Sequence, residues 1–190
     1  MKRTPRFWKT LSAMVFGAAL CLCASFDANA AAYIKFDGID GESVDVKHEK
    51  WINILSFEHA IRYDRDQGDA NPTRRGKTSL SDLTCVKELD KSSPKLAESI
   101  LTNKVFPEVK IEVTKRGAGG ENQAVYLTYE LKNVIVTSYQ FQASGDGDEP
   151  PVEVFSLNFE EIKVTYKVFD ATGGANESVE YNWKVEEGVS

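Results

Sequence analysis

Beyond its first 30 residues, only one stretch of this chain has helical spacing, and most of its other apolar residues alternate with period two. Such a chain can bury its apolar faces only by packing strands on strands, with the helix as an accessory. The stretch is Asp90-Lys91-Ser92-Ser93-Pro94-Lys95-Leu96-Ala97-Glu98-Ser99-Ile100-Leu101-Thr102-Asn103. Ser93 is the expected N-cap, and Pro94 then occupies the first helical position, where its missing N–H is harmless. Leu96, Ile100 and Leu101 fall on one face, while Lys95, Glu98 and Ser99 face outward. Asn103 suits a C-terminal stop and Pro107 discourages extension, which places the helix at about 93–103.

The alternating segments divide the rest. Ala32–Asp37 reads as a first strand, Gly38–Ser43 as a turn and Trp51–Tyr63 as one longer strand. Arg62–Lys77 is almost without apolar residues and contains Gly68, Pro72 and Gly76, so it is expected to be a long exposed loop. Leu83–Leu89 returns to strand before the helix. After it, Val109, Ile111 and Val113 mark a strand that turns at Gly117-Ala118-Gly119-Gly120 and returns through Ala124–Val136. A shorter strand follows at Tyr139–Ala143, then an acidic loop at Ser144–Pro151. Val154–Val168 reads as the longest strand, with its apolar phase shifted at Glu160-Glu161 as at a β-bulge or a barrel corner. Val179, Tyr181 and Trp183 make a last strand. The expected fold is mainly β: an antiparallel β-barrel or sandwich with one short flanking α-helix. Closure is a physical need, because strands this long otherwise leave open edges.

Residues 1–30 have the plan of an export signal. Lys2, Arg3, Arg6 and Lys9 form a basic start, Leu11–Ala24 is apolar and uncharged, and Ala28-Asn29-Ala30 offers a small-x-small cleavage site. The apolar run is short of the roughly 20 residues that span a bilayer, so no stable membrane insertion is expected after cleavage. That leaves residues 31–190 as one folded domain. The chain carries 23 basic and 29 acidic residues; with the leader's four basic residues and Asp27 removed, 19 remain against 28, a net charge of −9. Such a balance disfavours nucleic acid and anionic membrane as partners. Cys85 is the one cysteine outside the leader, so no internal disulfide is expected there.

Catalytic and metal chemistry find little support, and no catalytic residue, metal ligand or cofactor is assigned. His48 and His59 sit in no nucleophile or zinc pattern. Cys85 within a strand reads as a small apolar residue rather than a reactive thiol. Asp64-Arg65-Asp66-Gln67-Gly68-Asp69 and Asp146-Gly147-Asp148-Glu149 have the carboxylate density of a calcium loop. The first has no later bidentate Glu, and its Arg65 competes for the carboxylates; solvated loops are the better reading of both. Gly117–Gly120 lies between strands without the Lys-Ser/Thr of a phosphate loop, so it reads as a hairpin turn.

Asp90-Lys91-Ser92-Ser93-Pro94-Lys95-Leu96 resembles the segment that opens the single helix of the haemolysin-coregulated protein (Hcp) family. Ile39–Ser43 is similar to that family's first turn, and Lys115–Gln123 with Tyr126-Leu127 to its central hairpin. Glu153–Phe159 with Ile162 to Tyr166 is similar to its long late strand, and Tyr181-Asn182-Trp183 to its closing strand. The resemblance implies a barrel-like domain, six copies in a ring, and rings stacked into the inner tube of a type VI secretion system. It further implies a sheath, a spike protein and small effectors as partners, with no enzymatic step. The segment Arg62–Lys77 occupies the place of the family's extended loop, which implies ring-to-ring contacts through Arg62, Asp64, Asp66, Arg74, Arg75 and Lys77. The leader sets a second expectation beside the first: an exported Hcp-like hexamer or binding module without a role in the secretion machine. Extracytoplasmic location through that leader thus stands beside assembly in the cytoplasm and type VI export.

Overall fold

The computed structural model describes residues 30–65, 76–116, 123–143, 150–170 and 174–185. Among them the elements run β1 (Ala31–Phe36), β2 (Ile52–Ile54), β3 (Ser56–Glu58), β4 (Ile61–Arg65), β5 (Gly76–Leu80), β6 (Leu83–Glu88), α1 (Ser93–Leu101), β7 (Val105–Arg116), β8 (Gln123–Gln142), β9 (Val152–Asn158), β10 (Glu161–Phe169) and β11 (Ala175–Lys184). Every strand pairing is antiparallel. Seven strands lie in the order β2-β1-β7-β8-β9-β6-β3, β10 and β11 branch from β8, and β4 and β5 pair only with each other. The two ends of the main path, β2 and β3, are consecutive pieces of one segment joined at Leu55, whose amide donates to Val86 O at 2.8 Å. The sheet therefore curls until its ends meet in a single stretch of chain, which gives the barrel-like form.

Strand β8 makes the branch possible. Its first half lies between β7 and β10, while its second half runs beside β9. The change of partner coincides with Asn133, at φ +50°, and with a shift of register between Val136 and Ser138. Asparagine tolerates the left-handed region better than most residues, so the bend falls where the sequence can accept it.

The core follows from the alternation. Ile34 and Phe36, Ile52 and Ile54, Leu83 and Cys85, Val109 and Ile111, Phe155 and Leu157 all point inward and are buried. Phe106 meets Phe36 edge to face at 5.0 Å, the arrangement the ring quadrupoles favour. Leu96 of α1 inserts into this cluster and is fully buried.

Helix α1 starts with Ser92 as N-cap rather than Ser93, and no side chain caps it; Ser93 is instead turned inward and buried. Its outward and inward sides also differ from expectation. Leu101 is 83% exposed and Ser99 only 3%, because Ser99 satisfies itself by donating to Leu96 O at 2.6 Å and can lie against the sheet. The C-terminal stop is at Asn103, φ +50°. The amide of Asn103 donates to Ile100 O and that of Lys104 to Ser99 O, the paired closure that a left-handed residue allows.

Four strand expectations change. The expected strand Trp51–Tyr63 is three strands, because the segment must leave β1 at Leu55 to reach β6, and leave β6 at His59 to pair with β5. Arg62–Lys77 is not wholly loop: Ile61–Arg65 and Gly76–Leu80 pair as a hairpin stem, with Asp64 opposite Lys77. Tyr139–Ala143 is no separate strand but largely the end of β8. Val154–Val168 breaks at Phe159 and Glu160 into β9 and β10, both antiparallel to β8. The phase shift at Glu160 thus marks a true interruption, at which Glu160 N donates to Lys132 O.

Candidate assembly surfaces

Two strands point a charge into the core, and that fixes the helix. On β6 the inward series is Leu83, Cys85, Lys87; on β9 it is Glu153, Phe155, Leu157. Lys87 and Glu153 are register partners, both fully buried, and Lys87 Nζ lies 2.6 Å from Glu153 Oε1. The same ammonium reaches Asp90 Oδ1 at 2.8 Å and donates to Ser93 Oγ at 3.1 Å and Glu88 O at 2.8 Å. Asp90 accepts in turn from the Ser92 amide and hydroxyl, and Ser93 Oγ accepts from the Asp90 amide. Tyr139 donates to Glu153 Oε2 at 2.7 Å; burial, with the hydrogen bond to this carboxylate added, pushes the phenol up to about 12. A buried cation is tolerable only when carboxylates and hydrogen-bond acceptors surround it in this way; Glu153 Oε1 meets it as an ion pair alone, with no hydrogen bond of its own. The residues Asp90, Ser92 and Ser93 thus anchor α1, whereas Lys91 and Pro94 are exposed.

A second device holds the segment between β1 and β2. His48 stacks on Tyr33 with centroids 4.2 Å apart and meets Trp51 edge-on at 5.0 Å. Its Nδ1 lies 2.6 Å from Asp45 Oδ1 and its Nε2 2.9 Å from Glu112 Oε2. Burial opposes ionisation of Asp45, but hydrogen bonds from the His48 ring and from the Lys47 and His48 amides outweigh it and hold the carboxyl below the usual range. Gly41 packs so closely that an added Cβ would lie 2.3 Å from Trp51 O. The result is a pinned loop, and it carries Val44 and Val46 at 94% and 95% exposure.

The third feature is an overhang. The inner face of β10 is buried at Ile162 and Val164, but the same face continues exposed through Tyr166 and Val168. On β11 the register partners Val179, Tyr181 and Trp183 stay 40–59% exposed. Between this strip and the hairpin lies a cavity of about 200 Å³ lined by Ile61, Thr78, Leu80, Tyr181 and Trp183. The outer face of β7, β8, β10 and β11 is a lattice of opposite charges, with Lys110 on β7 3.1 Å from Glu130 on β8, Lys163 on β10 3.0 Å from Glu180 on β11, and Lys132 on β8 paired to Glu108 on β7.

Of the residues singled out for ring stacking, Arg62 and Lys77 are exposed on the hairpin stem and Asp64 lies on β4. Asp66, Arg74 and Arg75 fall outside the described residues, as do Ala28, both candidate calcium loops beyond Arg65, and Gly117–Gly120. Ala30 is exposed immediately before β1. His59 is half-buried beside Phe159, with a buried Nε2 that has no hydrogen-bond partner, and burial lowers its proton affinity. Burial pushes the Cys85 thiol far up. Among the described residues no three His, Cys, Asp or Glu side chains gather in a metal-binding group. Sequence reasoning missed Lys87 and Glu153, although a charge in the inward phase of an apolar strand was there to be read.

A pinned loop, a buried ion-paired helix anchor and an exposed apolar overhang together make a barrel-like domain that presents surfaces to its surroundings. Comparison with known proteins agrees. Residues 33–166 match the family described as "Type VI secretion system effector, Hcp". Protein hcp1 of Pseudomonas aeruginosa is 32% identical over 158 residues, covering 83% of this chain and 96% of the relative. A solved type six secretion system protein superposes with a TM-score of 0.75 at 28% identity, over 83% of this chain and 97% of the other. Hcp1 from Salmonella typhimurium does so with a TM-score of 0.66 at 26% identity, over 83% and 96%. This chain belongs to the Hcp family, the tube and effector-carrier proteins of type VI secretion, and has the antiparallel barrel-like fold of that family.

Proposed function

We propose that this chain builds a tube from rings of six copies, that a surrounding sheath drives the tube out as a secreted component, and that the tube carries a spike protein at its tip and small effectors in its lumen. The observation that carries the self-association is the overhang: a folded monomer rarely leaves so continuous an apolar strip bare. Membership of the Hcp family supports the same reading. The test is light scattering with negative-stain imaging of the purified chain. Six-fold rings with a central hole are expected; a monomer at high concentration overturns it.

Ring-to-ring contact is assigned to the hairpin and its tip, through Arg62, Asp64, Asp66, Arg74, Arg75 and Lys77. Replacing Arg74 and Arg75 with Glu is expected to weaken stacking and leave single rings, and stacking unchanged by the double substitution defeats the assignment.

The basic and apolar leader favours a second reading, in which cleavage after Ala30 releases an exported ring or binding module of residues 31–190 that works outside the machine. N-terminal sequencing separates the two. A start at Ala31 supports the leader, whereas retention of Met1 in exported protein excludes its cleavage.

A further inference from the structure

The register of the sheet delivers the first 30 residues to the level of the β10–β11 overhang. Register partners on successive strands form a row across the inner face: Ala32 on β1, Val113 on β7, Leu127 on β8, Tyr166 on β10 and Val179 on β11. Cover fails along that row. Val113 is buried and Leu127 packs against the core, whereas Tyr166 is 45% and Val179 59% exposed. Strand β1 begins at Ala31, one residue before the row, so whatever precedes it joins the fold level with the exposed strip. Four strand spacings of about 4.8 Å put β1 and β11 about 19 Å apart. Only residues 25–30 separate the apolar stretch 11–24 from Ala31. Fully extended, a segment of that length reaches about 20 Å, enough to cross the sheet.

We propose that residues 11–24, for as long as they stay attached, lie on the β10–β11 strip of their own chain and keep it from other copies. The inference rests on the ring reading above, which takes that strip as the surface of self-association. Chemistry matches the two. The stretch 11–24 carries no charge, and the strip offers Tyr166, Val168, Val179, Tyr181 and Trp183. Charge favours the same approach. Residues 1–10 hold Lys2, Arg3, Arg6 and Lys9 with no acidic residue, against a net charge of −9 for residues 31–190. The strip's own face ends in exposed Glu177, the register partner of Val168. The tether then decides between occupants. A short flexible linker holds its cargo at an effective concentration on the order of millimolar, above that of a second free copy. Removal of residues 1–30 ends this advantage, so assembly is timed by their loss.

Cell-free synthesis without membranes makes the full chain with residues 1–30 still attached, and the chain supplies its own probe. Cys21 and Cys23 lie in the apolar stretch, while Cys85 is buried and out of reach. With Val179→Cys added, oxidation is expected to give a monomer closed by an internal disulfide, read as faster migration on a non-reducing gel. Cys21→Ser with Cys23→Ser should abolish it, and Val44→Cys, exposed on the pinned loop, should form none. Assembly is read by negative-stain imaging. Rings are expected from residues 31–190, which contain every described element, and from the full chain with Leu20→Asp and Leu22→Asp, but not from the native full chain. Absence of the internal disulfide, its equal formation with Val44→Cys, or rings from the native full chain overturns the proposal. So does an Asp variant that still forms none while residues 31–190 do. Residues 31–190 that stay monomeric defeat the ring reading and the timing of assembly together, and the disulfide alone then decides whether the strip is covered.

Discussion

The two ends of β10 share one strand, one face and one alternation, yet Ile162 and Val164 lie in the core while Tyr166 and Val168 are open to solvent. The difference is not in the residues. At its beginning β10 runs beside Leu131 and Lys132, over the barrel; by Val168 its register neighbour is Glu177 alone. An alternating pattern states which face seeks cover and says nothing about what supplies it. In the first half the cover is the chain's own core. In the second that core has ended and the face stays exposed, which is why the overhang is where partners are to be sought.

The contrast can be broken most forcefully at the helix anchor. Lys87→Met leaves Glu153 and Asp90 buried without their cation, and about 3–5 kcal/mol of stability is expected to go, as read by denaturant unfolding. Adding Glu153→Leu should recover much of the loss, since the uncompensated charge is then gone too. The two halves of β10 are compared directly by Ile162→Ala, expected to cost about 2–5 kcal/mol, and Val168→Ser, expected to stay within about 0.5 kcal/mol when the monomer is measured. Equal losses would show that the overhang is part of the monomer's core after all.

A weaker effect tests the barrel at His59. Burial depresses its proton affinity when folded, whereas the unfolded residue binds a proton as pH falls below about 6.5. Stability from this group is therefore intact above that pH and is lost as pH drops towards the depressed folded value. The thermal midpoint should fall more steeply between pH 7 and pH 5 in the native chain than in His59→Phe. On the outer lattice, Glu108→Gln removes an exposed partner of Lys132. Its carboxyl is held low chiefly by the Lys132 hydrogen bond, yet both groups are solvated, so the expected cost is about 0.2–1 kcal/mol and it shrinks with added salt.

Much of the fold was legible because its signals are local. The first strand, the helix, the β7–β8 pairing and the irregularity at Glu160, though not that it ends one strand and starts another, follow from alternation, from Pro94 and Asn103 and from a phase shift, each readable within about ten residues. The splitting of Trp51–Tyr63 was not legible, since Leu55 and His59 break the strand only because the partner changes from β1 to β6 and then to β5. Nor was the hairpin stem, whose Asp64 and Lys77 read as loop when taken singly. The helix start was marked by its resemblance to a known segment, but the physical reason for it, Lys87 and Glu153, lies on two other strands.

By itself the sequence determined that this protein is mostly strand with one short helix, acidic beyond its first 30 residues, and similar to the Hcp family. Those properties depend on spacing, composition and order, which the chain carries regardless of how it folds. Tertiary structure alone decided which charges are buried, which valines are held out on a pinned loop and which apolar face is left bare. Burial is a relation between residues distant in sequence, and β10 shows that identical patterning can end in opposite surroundings.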